Sequence, residues 1–157
     1  MSAPGNLPPF RVGILGLGTV GQGVVRVLQK NAAEIAARAG RPIVVTHASV
    51  RNPTRPRDCD TSGITLVSDP AQVLRAEVDV VVELIGGISP ARELVLEALA
   101  AGKPVVTANK ALLAEKGNEI FAAAARHGAQ LAYEAAVAGG IPIIKALREG
   151  LAGNGID

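Results

Sequence analysis

With 157 residues and 48% hydrophobic content, the chain can bury one core, and its formal net charge of +2 is too small to favour nucleic acid. Aromatic residues make up only 2% of it, so the core must be aliphatic, as in parallel sheets covered by helices. One cysteine, Cys59, excludes an intramolecular disulfide, and no apolar run reaches the length of a membrane span. Because the N-terminal segment also lacks the pattern of a signal peptide, we expect a cytoplasmic protein with neither nucleic acid nor a membrane as partner.

The first predicted element is a buried strand over residues 12–15, which leads into a glycine turn and then a helix over residues 21–39. Within the turn, Gly16 allows a tight reversal of the chain, Gly18 allows backbone to approach a pyrophosphate, and Gly21 allows close packing of helix and strand. The helix N-terminus would offer free N–H groups and a positive dipole end to phosphates. This order of strand, turn and helix predicts dinucleotide binding, and the alternative is a glycine-lined turn of structural use only.

Strands and helices continue to alternate along the rest of the chain. The predicted strands cover residues 43–50, 64–67, 78–85, 104–107 and 130–134. The predicted helices cover residues 70–74, 90–102, 110–127 (with Gly117 as a candidate break) and 141–149. This alternation predicts a doubly wound α/β fold of the Rossmann type, with a largely parallel sheet and helices on both faces.

In such folds, ligands bind beyond the carboxyl ends of the strands. Besides the glycine turn, the predicted strand ends are Arg51, Gly86 and Gly87, Lys110, and the segment 135–140. We therefore expect Gly86 and Gly87 to contact the same ligand as the glycine turn.

The residues after the second strand indicate which dinucleotide is preferred. A site selective for NAD usually has a carboxylate there for the ribose hydroxyls. Here the strand is followed by Arg51 and Asn52, with Arg55 and Arg57 nearby, and the first carboxylate is Asp58. A guanidinium suits the additional phosphate of NADP, so the pattern favours NADP over NAD. The alternative is that Arg51 is a solvated arginine on a loop.

Two further residues have a chemical and a structural interpretation. Lys110 could hold a carboxylate or polarise a carbonyl oxygen, although a lysine at a helix start is more often a surface residue. Glu134 precedes a glycine turn whose free carbonyls could bind a small cation, although a glutamate there more often caps a helix. His47, His127 and Cys59 lack partners at the spacing of a metal site or a catalytic triad.

Four segments taken together resemble the N-terminal nucleotide-binding domain of homoserine dehydrogenase. They are residues 16–21, 81–87, 106–113 and 134–142, and the similarity extends over about residues 11–154. The last two segments are the most specific, and they favour the chemical interpretation of Lys110 and Glu134. The resemblance implies reduction of L-aspartate 4-semialdehyde to L-homoserine with NAD(P)H, in the biosynthesis of threonine, methionine and isoleucine.

The resemblance also implies roles for individual residues. Arg51 would face the adenosine ribose or its phosphate, and Lys110 would lie where cofactor and substrate meet. The pyrophosphate would be held by Leu17, Gly18, Thr19 and Val20. A monovalent cation, usually sodium, would be bound mostly by backbone carbonyls of Glu134, Val137, Gly139 and Ile141. That cation would tether two domains and take no part in the chemistry.

The domain organisation follows from the same resemblance. We expect a flexible N-terminus over residues 1–10, an NAD(P)-binding domain over residues 11–151, and the start of a substrate and dimerisation domain over residues 152–157. The rest of that domain is absent from the sequence, so the fragment should be inactive alone and its parent a homodimer. The alternatives are another Rossmann oxidoreductase and a nucleotide-sensing module without catalysis. An aspartate-semialdehyde dehydrogenase would need a catalytic cysteine, and Cys59 lies in the wrong context for one. A dihydrodipicolinate-type reductase lacks support for its substrate motif.

Overall fold

In a computed structural model of the protein, residues 7–137 are described, and they form a six-stranded sheet whose neighbouring strands are all parallel. The strands are β1 (Phe10–Leu15), β2 (Ile43–Ser49), β3 (Thr65–Val67), β4 (Val80–Glu83), β5 (Val105–Thr107) and β6 (Leu131–Ala132). Their order across the sheet is β3-β2-β1-β4-β5-β6. The chain winds outward from β1 in both directions, which confirms the predicted doubly wound fold.

Helices connect the strands and cover both faces of the sheet. They are α1 (Thr19–Lys30), α2 (Ala32–Ala39), α3 (Ala71–Arg75), α4 (Ala91–Ala100), α5 (Lys110–His127) and α6 (Glu134–Val137). Within residues 7–137, no helix has both the length and the hydropathy needed to cross a membrane.

The core has two halves because successive side chains of a strand point to opposite faces. In β1, Ile14 packs with Val25 of α1, whereas Leu15 belongs to the cluster that includes Leu99 of α4 and Ile120 of α5. All five side chains are fully buried. Both faces of the sheet are therefore apolar, which leaves its carboxyl-terminal edge as the place for polar chemistry.

The structure differs from the predicted elements in three details. The helix predicted over residues 21–39 begins at Thr19 and is interrupted at Asn31, whose φ of −107° and ψ of 21° leave the helical region. The candidate break at Gly117 is absent, because α5 runs continuously past this buried glycine. The last predicted strand covers only Leu131–Ala132, and Glu134, predicted to end it, is the first residue of α6.

The remaining differences lie at the ends of elements. β1 begins at Phe10, one residue before the predicted start of the domain. Pro70 occupies the N-cap position of α3, and the Asp69 carboxylate accepts a hydrogen bond from the N–H of Ala71 at 2.9 Å. The last predicted helix, over residues 141–149, lies outside the described residues.

Candidate functional site

The turn between β1 and α1 can be built only with glycine at two positions. Gly16 has a φ of 97°, in the left-handed region that favours glycine, and a Cβ there would lie 3.0 Å from the carbonyl oxygen of Leu84. At Gly21, a Cβ would lie 2.4 Å from the carbonyl oxygen of Gly16. The two glycines therefore let α1 begin directly against the end of β1.

Gly18 has a different role in this turn. Its φ of −79° is open to any residue, and a Cβ added to it would meet no atom within 4 Å. Gly18 is also the N-cap of α1, and the first helical hydrogen bond runs from the N–H of Gln22 to its carbonyl oxygen at 2.9 Å. The N–H groups of Thr19, Val20 and Gly21 precede that bond, so they lie at the positive end of the helix dipole. The turn thus combines open space with donors suited to an anion.

Ser49, at the end of β2, fixes the position of the turn. Its side-chain oxygen accepts a hydrogen bond from the N–H of Gly16 at 3.1 Å, and its carbonyl oxygen accepts one from the N–H of Leu17, also at 3.1 Å. Ser49 is buried, while Gly16 is half-buried beside it. Sequence analysis missed this residue, and the signal available was a small polar side chain at the end of a largely apolar strand.

A cleft of about 650 Å³ opens along the glycine turn, within the size range of ligand sites. Five of the predicted site residues line it, namely Gly16, Leu17, Gly18, Thr19 and Arg51. On one side the cleft reaches the loop after β2, and on the other it reaches Leu84, Ile85 and Pro90. An elongated ligand could therefore extend across the end of β1 from one side to the other.

The loop after β2 supplies the positive charge of the cleft. Arg51 and Arg55 are exposed and line it. Arg57 also lines it, but its guanidinium donates to the carbonyl oxygens of Arg55 at 2.7 Å and of Asn52 at 2.8 Å. Arg57 thus organises the loop, while Arg51 and Arg55 bring positive charge to the space where a ligand could lie.

Helix α1 holds the same loop in place. The side-chain oxygen of Gln22 accepts a hydrogen bond from the N–H of Asp58 at 2.7 Å, and the side-chain amide of Gln29 donates to the carbonyl oxygen of Asp60 at 2.9 Å. The helix that begins at the glycine turn therefore also positions the arginine-bearing loop.

A buried carboxylate organises the opposite side of the cleft. Glu83, the last residue of β4, has no solvent exposure. One of its oxygens, Oε2, accepts from the hydroxyl of Thr107 at 2.6 Å. The other, Oε1, accepts from the N–H groups of Ile85 at 2.9 Å and Gly86 at 3.3 Å. The sequence signal for Glu83 was a charged residue inside an apolar run, and sequence analysis used it only as part of the segment 81–87, without a role of its own.

Asn109 extends this network to α5. Its side-chain amide donates to the carbonyl oxygen of Gly87 at 2.6 Å and to Oε1 of Glu83 at 3.4 Å. As the N-cap of α5, it also accepts from the N–H of Leu112 at 3.1 Å through its side-chain oxygen. The helix that begins at Lys110 is thus joined to the loop after β4.

The other residues predicted for the cofactor lie at the same edge of the sheet without lining the cleft. Lys110 is exposed at the start of α5. Gly86 and Gly87 are exposed just beyond Ile85, with φ angles of 79° and 71°. The side chain of Val20 is 60% exposed and lies on an apolar surface of α1 that is separate from the cleft. Only the backbone of Val20 is therefore placed to take part in the site.

Half of the predicted cation site lies outside the described residues. Glu134 and Val137 are the first and last residues of α6, and Gly139 and Ile141 lie beyond residue 137. Within the described part of the chain, no group of three or more His, Cys, Asp or Glu side chains could hold a metal ion.

Neither Cys59 nor His47 shows the environment of a catalytic group. Burial raises the pKa of the Cys59 thiol, despite the opposing effect of Arg26 and Arg57. A nucleophilic cysteine requires the opposite shift. His47 is half-buried within β2, where its Nδ1 lies 3.0 Å from the hydroxyl oxygen of Thr46.

Comparison with known proteins agrees with this geometry. A family model described as "Homoserine dehydrogenase, NAD binding domain" matches residues 16–134. The chain is 57% identical over 152 residues to a homoserine dehydrogenase of Pseudomonas aeruginosa, a match that covers 96% of the chain and 35% of that relative. It is 52% identical over 151 residues to one from Neisseria gonorrhoeae, covering 96% of the chain and 34% of the relative.

The fold is similar as well. The crystal structure of a homoserine dehydrogenase from Thiobacillus denitrificans superimposes with a TM-score of 0.86 at 57% sequence identity. That match covers 94% of the chain and 34% of the other protein. The chain thus spans about a third of the length of the relatives it matches.

Proposed function

Because this chain belongs to the family of homoserine dehydrogenase NAD-binding domains, we propose that it is the cofactor-binding part of an enzyme that interconverts L-aspartate 4-semialdehyde and L-homoserine with NADP(H). The observation that carries the proposal is the glycine turn. Its open space at Gly18 and the N–H groups at the start of α1 fit a pyrophosphate. Gly16, Leu17, Gly18 and Thr19 line the cleft there, while Val20 and Gly21 would contribute backbone N–H groups.

We propose NADP as the preferred cofactor. Arg51 lines the cleft directly after β2, where the ribose of the adenosine half would lie, and Arg55 adds a second guanidinium. Loss of a charge-assisted hydrogen bond costs about 1.5–3 kcal/mol. Replacing Arg51 by alanine should therefore weaken NADPH binding by about 10- to 150-fold and leave NADH binding nearly unchanged.

The test is isothermal titration calorimetry, which measures the dissociation constant of the chain for each dinucleotide. Arg38→Ala is the matched control, since Arg38 is an exposed arginine on α2 that pairs with Glu34 away from the cleft. An equal loss of NADPH and NADH affinity in Arg51→Ala would contradict the phosphate role.

Lys110 is the residue in this chain that we assign to the reaction itself. When bound, the cofactor supplies the hydride that reduces the aldehyde carbon. Lys110 begins α5 at the ligand edge of the sheet, so its ammonium group can stabilise negative charge that develops on the aldehyde oxygen. The remaining groups for substrate binding, proton donation and dimerisation would come from the two thirds of the relatives' length that this chain does not span.

A role of Lys110 in the reaction would distinguish an enzyme from a nucleotide-sensing module, which has no catalytic residue. The test uses a chimera in which residues 7–137 replace the matching segment of the Pseudomonas aeruginosa homoserine dehydrogenase. In the chimera, Lys110→Ala should lower kcat by about 10²-fold or more, a larger effect than any loss of NADPH affinity. Lys116→Ala, an exposed lysine of the same helix, is the control. Unchanged turnover in Lys110→Ala would exclude the catalytic role.

We also propose a bound cation, a further cofactor contact, and the assembly and cellular location of the parent enzyme. A sodium ion would be bound mostly by backbone carbonyls of Glu134, Val137, Gly139 and Ile141. Gly86 and Gly87 would contact the cofactor beside Ile85. The parent enzyme would be a cytoplasmic homodimer in threonine and methionine biosynthesis. In a longer chimera that carries residues 7–141 of this chain, replacing sodium by choline in the assay should lower the thermal stability if the cation tethers the domains.

A further inference from the structure

We propose that Glu83 is a positioning residue, which turns a backbone carbonyl of the loop over residues 84–87 toward the nicotinamide half of the bound cofactor. The proposal rests on the function proposed above, because it assumes that a dinucleotide occupies the cleft. It concerns a buried side chain that lines no part of the cleft itself.

The orientation of the loop follows from the hydrogen bonds of Glu83. Its Oε1 accepts from the N–H groups of Ile85 and Gly86, so both groups point inward to the carboxylate. In a trans peptide, the C=O and the following N–H point in opposite directions. The N–H of Gly86 shares its peptide with the carbonyl of Ile85, so that carbonyl points away from Glu83. Ile85 lines the cleft, and we infer that this oxygen is the acceptor it offers to a ligand.

A later carbonyl of the loop, that of Gly87, points in the opposite direction, toward the buried network. The oxygen of Gly87 accepts from the side-chain amide of Asn109 at 2.6 Å and so faces the buried network. Gly86 and Gly87 both have positive φ angles, a backbone conformation that favours glycine. This conformation accompanies the change in direction between the carbonyls of Ile85 and Gly87. Glu83 and Asn109 together therefore define which backbone groups face inward.

A carbonyl that points away from Glu83, toward the cleft, can bind only certain groups of the ligand. It accepts hydrogen bonds from a ribose hydroxyl or a carboxamide N–H₂, whereas it repels a phosphate oxygen. The phosphates fit the glycine turn after β1, and Arg51 lies on the β2 side of that turn. The loop after β4 lies on the other side of β1, where the nicotinamide and its ribose would extend. Its chemistry thus suits the half of the cofactor expected there.

The same carboxylate supports the start of α5. The hydroxyl of Thr107 donates to Oε2 of Glu83 and accepts from the N–H of Asn109 at 3.0 Å. Asn109 in turn caps the helix that begins at Lys110. Glu83 therefore links the loop that would hold the nicotinamide half to the residue proposed to act on the substrate.

The test compares a whole ligand with half of it. NADPH and adenosine 2′,5′-bisphosphate share the groups expected near Arg51, but only NADPH carries the nicotinamide half. In the 157-residue chain, Glu83→Ala should weaken NADPH binding by about tenfold and change binding of the bisphosphate by less than about twofold. Glu83→Gln keeps an oxygen that can accept from Ile85 and Gly86, so its NADPH affinity should stay within about threefold of the native value.

A second variant covers the case in which Glu83→Ala fails to fold. Asn109→Ser keeps a side-chain oxygen for the N-cap but removes the amide that donates to Gly87, so it should also weaken NADPH and spare the bisphosphate. An equal loss of both ligands, or a loss of neither, would overturn the assignment. If the native chain binds neither ligand, the proposed function itself fails, which is a different result.

Discussion

Alanine at Gly21 should destabilise the protein because there is no space for its Cβ. That atom would lie 2.4 Å from the carbonyl oxygen of Gly16, which is backbone and cannot rotate away. Overpacking of this kind costs about 1–3 kcal/mol, and a contact this short points to the upper end of the range. Alanine also gains about 1 kcal/mol over glycine inside a helix. The expected net loss in the free energy of unfolding is about 2 kcal/mol.

Alanine at Gly18 should have the opposite pattern. Its Cβ meets no protein atom within 4 Å, and its φ of −79° is open to alanine. The small loss of N-cap quality is offset by the lower entropy of the unfolded chain, so the free energy of unfolding should change by less than about 0.5 kcal/mol. The added methyl group would instead occupy the space proposed for the pyrophosphate. NADPH affinity should therefore fall by about tenfold or more.

The two variants are compared by urea unfolding and by isothermal titration with NADPH. Gly21→Ala should lose stability, whereas Gly18→Ala should lose affinity at unchanged stability. A Gly18→Ala protein that binds NADPH as tightly as the native chain would refute the placement of the pyrophosphate at this turn. A Gly21→Ala protein of native stability would refute the packing argument.

Two further predictions concern stability. Ser49→Ala removes the side-chain oxygen that accepts from the half-buried N–H of Gly16, so the free energy of unfolding should fall by about 0.5–1.5 kcal/mol in urea denaturation. Hydrogen bonds from the side chain and backbone of Arg11 lower the pKa of Asp79, so the stability from this pair is present above the unfolded pKa of about 3.9 and is lost as the pH falls through the lower folded value. Asp79→Asn should therefore make the unfolding free energy less dependent on pH between about pH 5 and about pH 2, and an unchanged pH dependence would contradict this.

Much of the fold could be predicted because it depends on local patterns. The strands were recognised from their apolar runs, and the glycine turn from its spacing. The break at Asn31 was missed because the apolar period of the sequence continues across it, which matches the hydrogen bonds on both sides of Asn31. The N–H of Asn31 donates to Val27, and its carbonyl accepts from Ile35, so the apolar period carries on across the break. Gly117 was misjudged because a glycine in a buried helix position can be retained there by packing.

The candidate site was less accessible to prediction, because its supporting residues act over long separations in sequence. Ser49 bonds to Gly16 across 33 positions, and Thr107 bonds to Glu83 across 24. Neither pair produces a periodic signal, and their partners become neighbours only when parallel strands align. Gly18 and Arg51, by contrast, could be predicted as site residues because each belongs to a known spacing around β1 and β2, and both line the cleft.

The central claim is that this chain holds an NADP-type dinucleotide across the end of β1. Its most direct test is isothermal titration of the 157-residue chain with NADPH and, separately, with NADH. We expect saturable binding at one site, with NADPH bound more tightly than NADH because only NADPH carries the phosphate that Arg51 would contact. Failure to bind either dinucleotide would contradict the claim, and tighter binding of NADH would contradict its assignment of the cofactor.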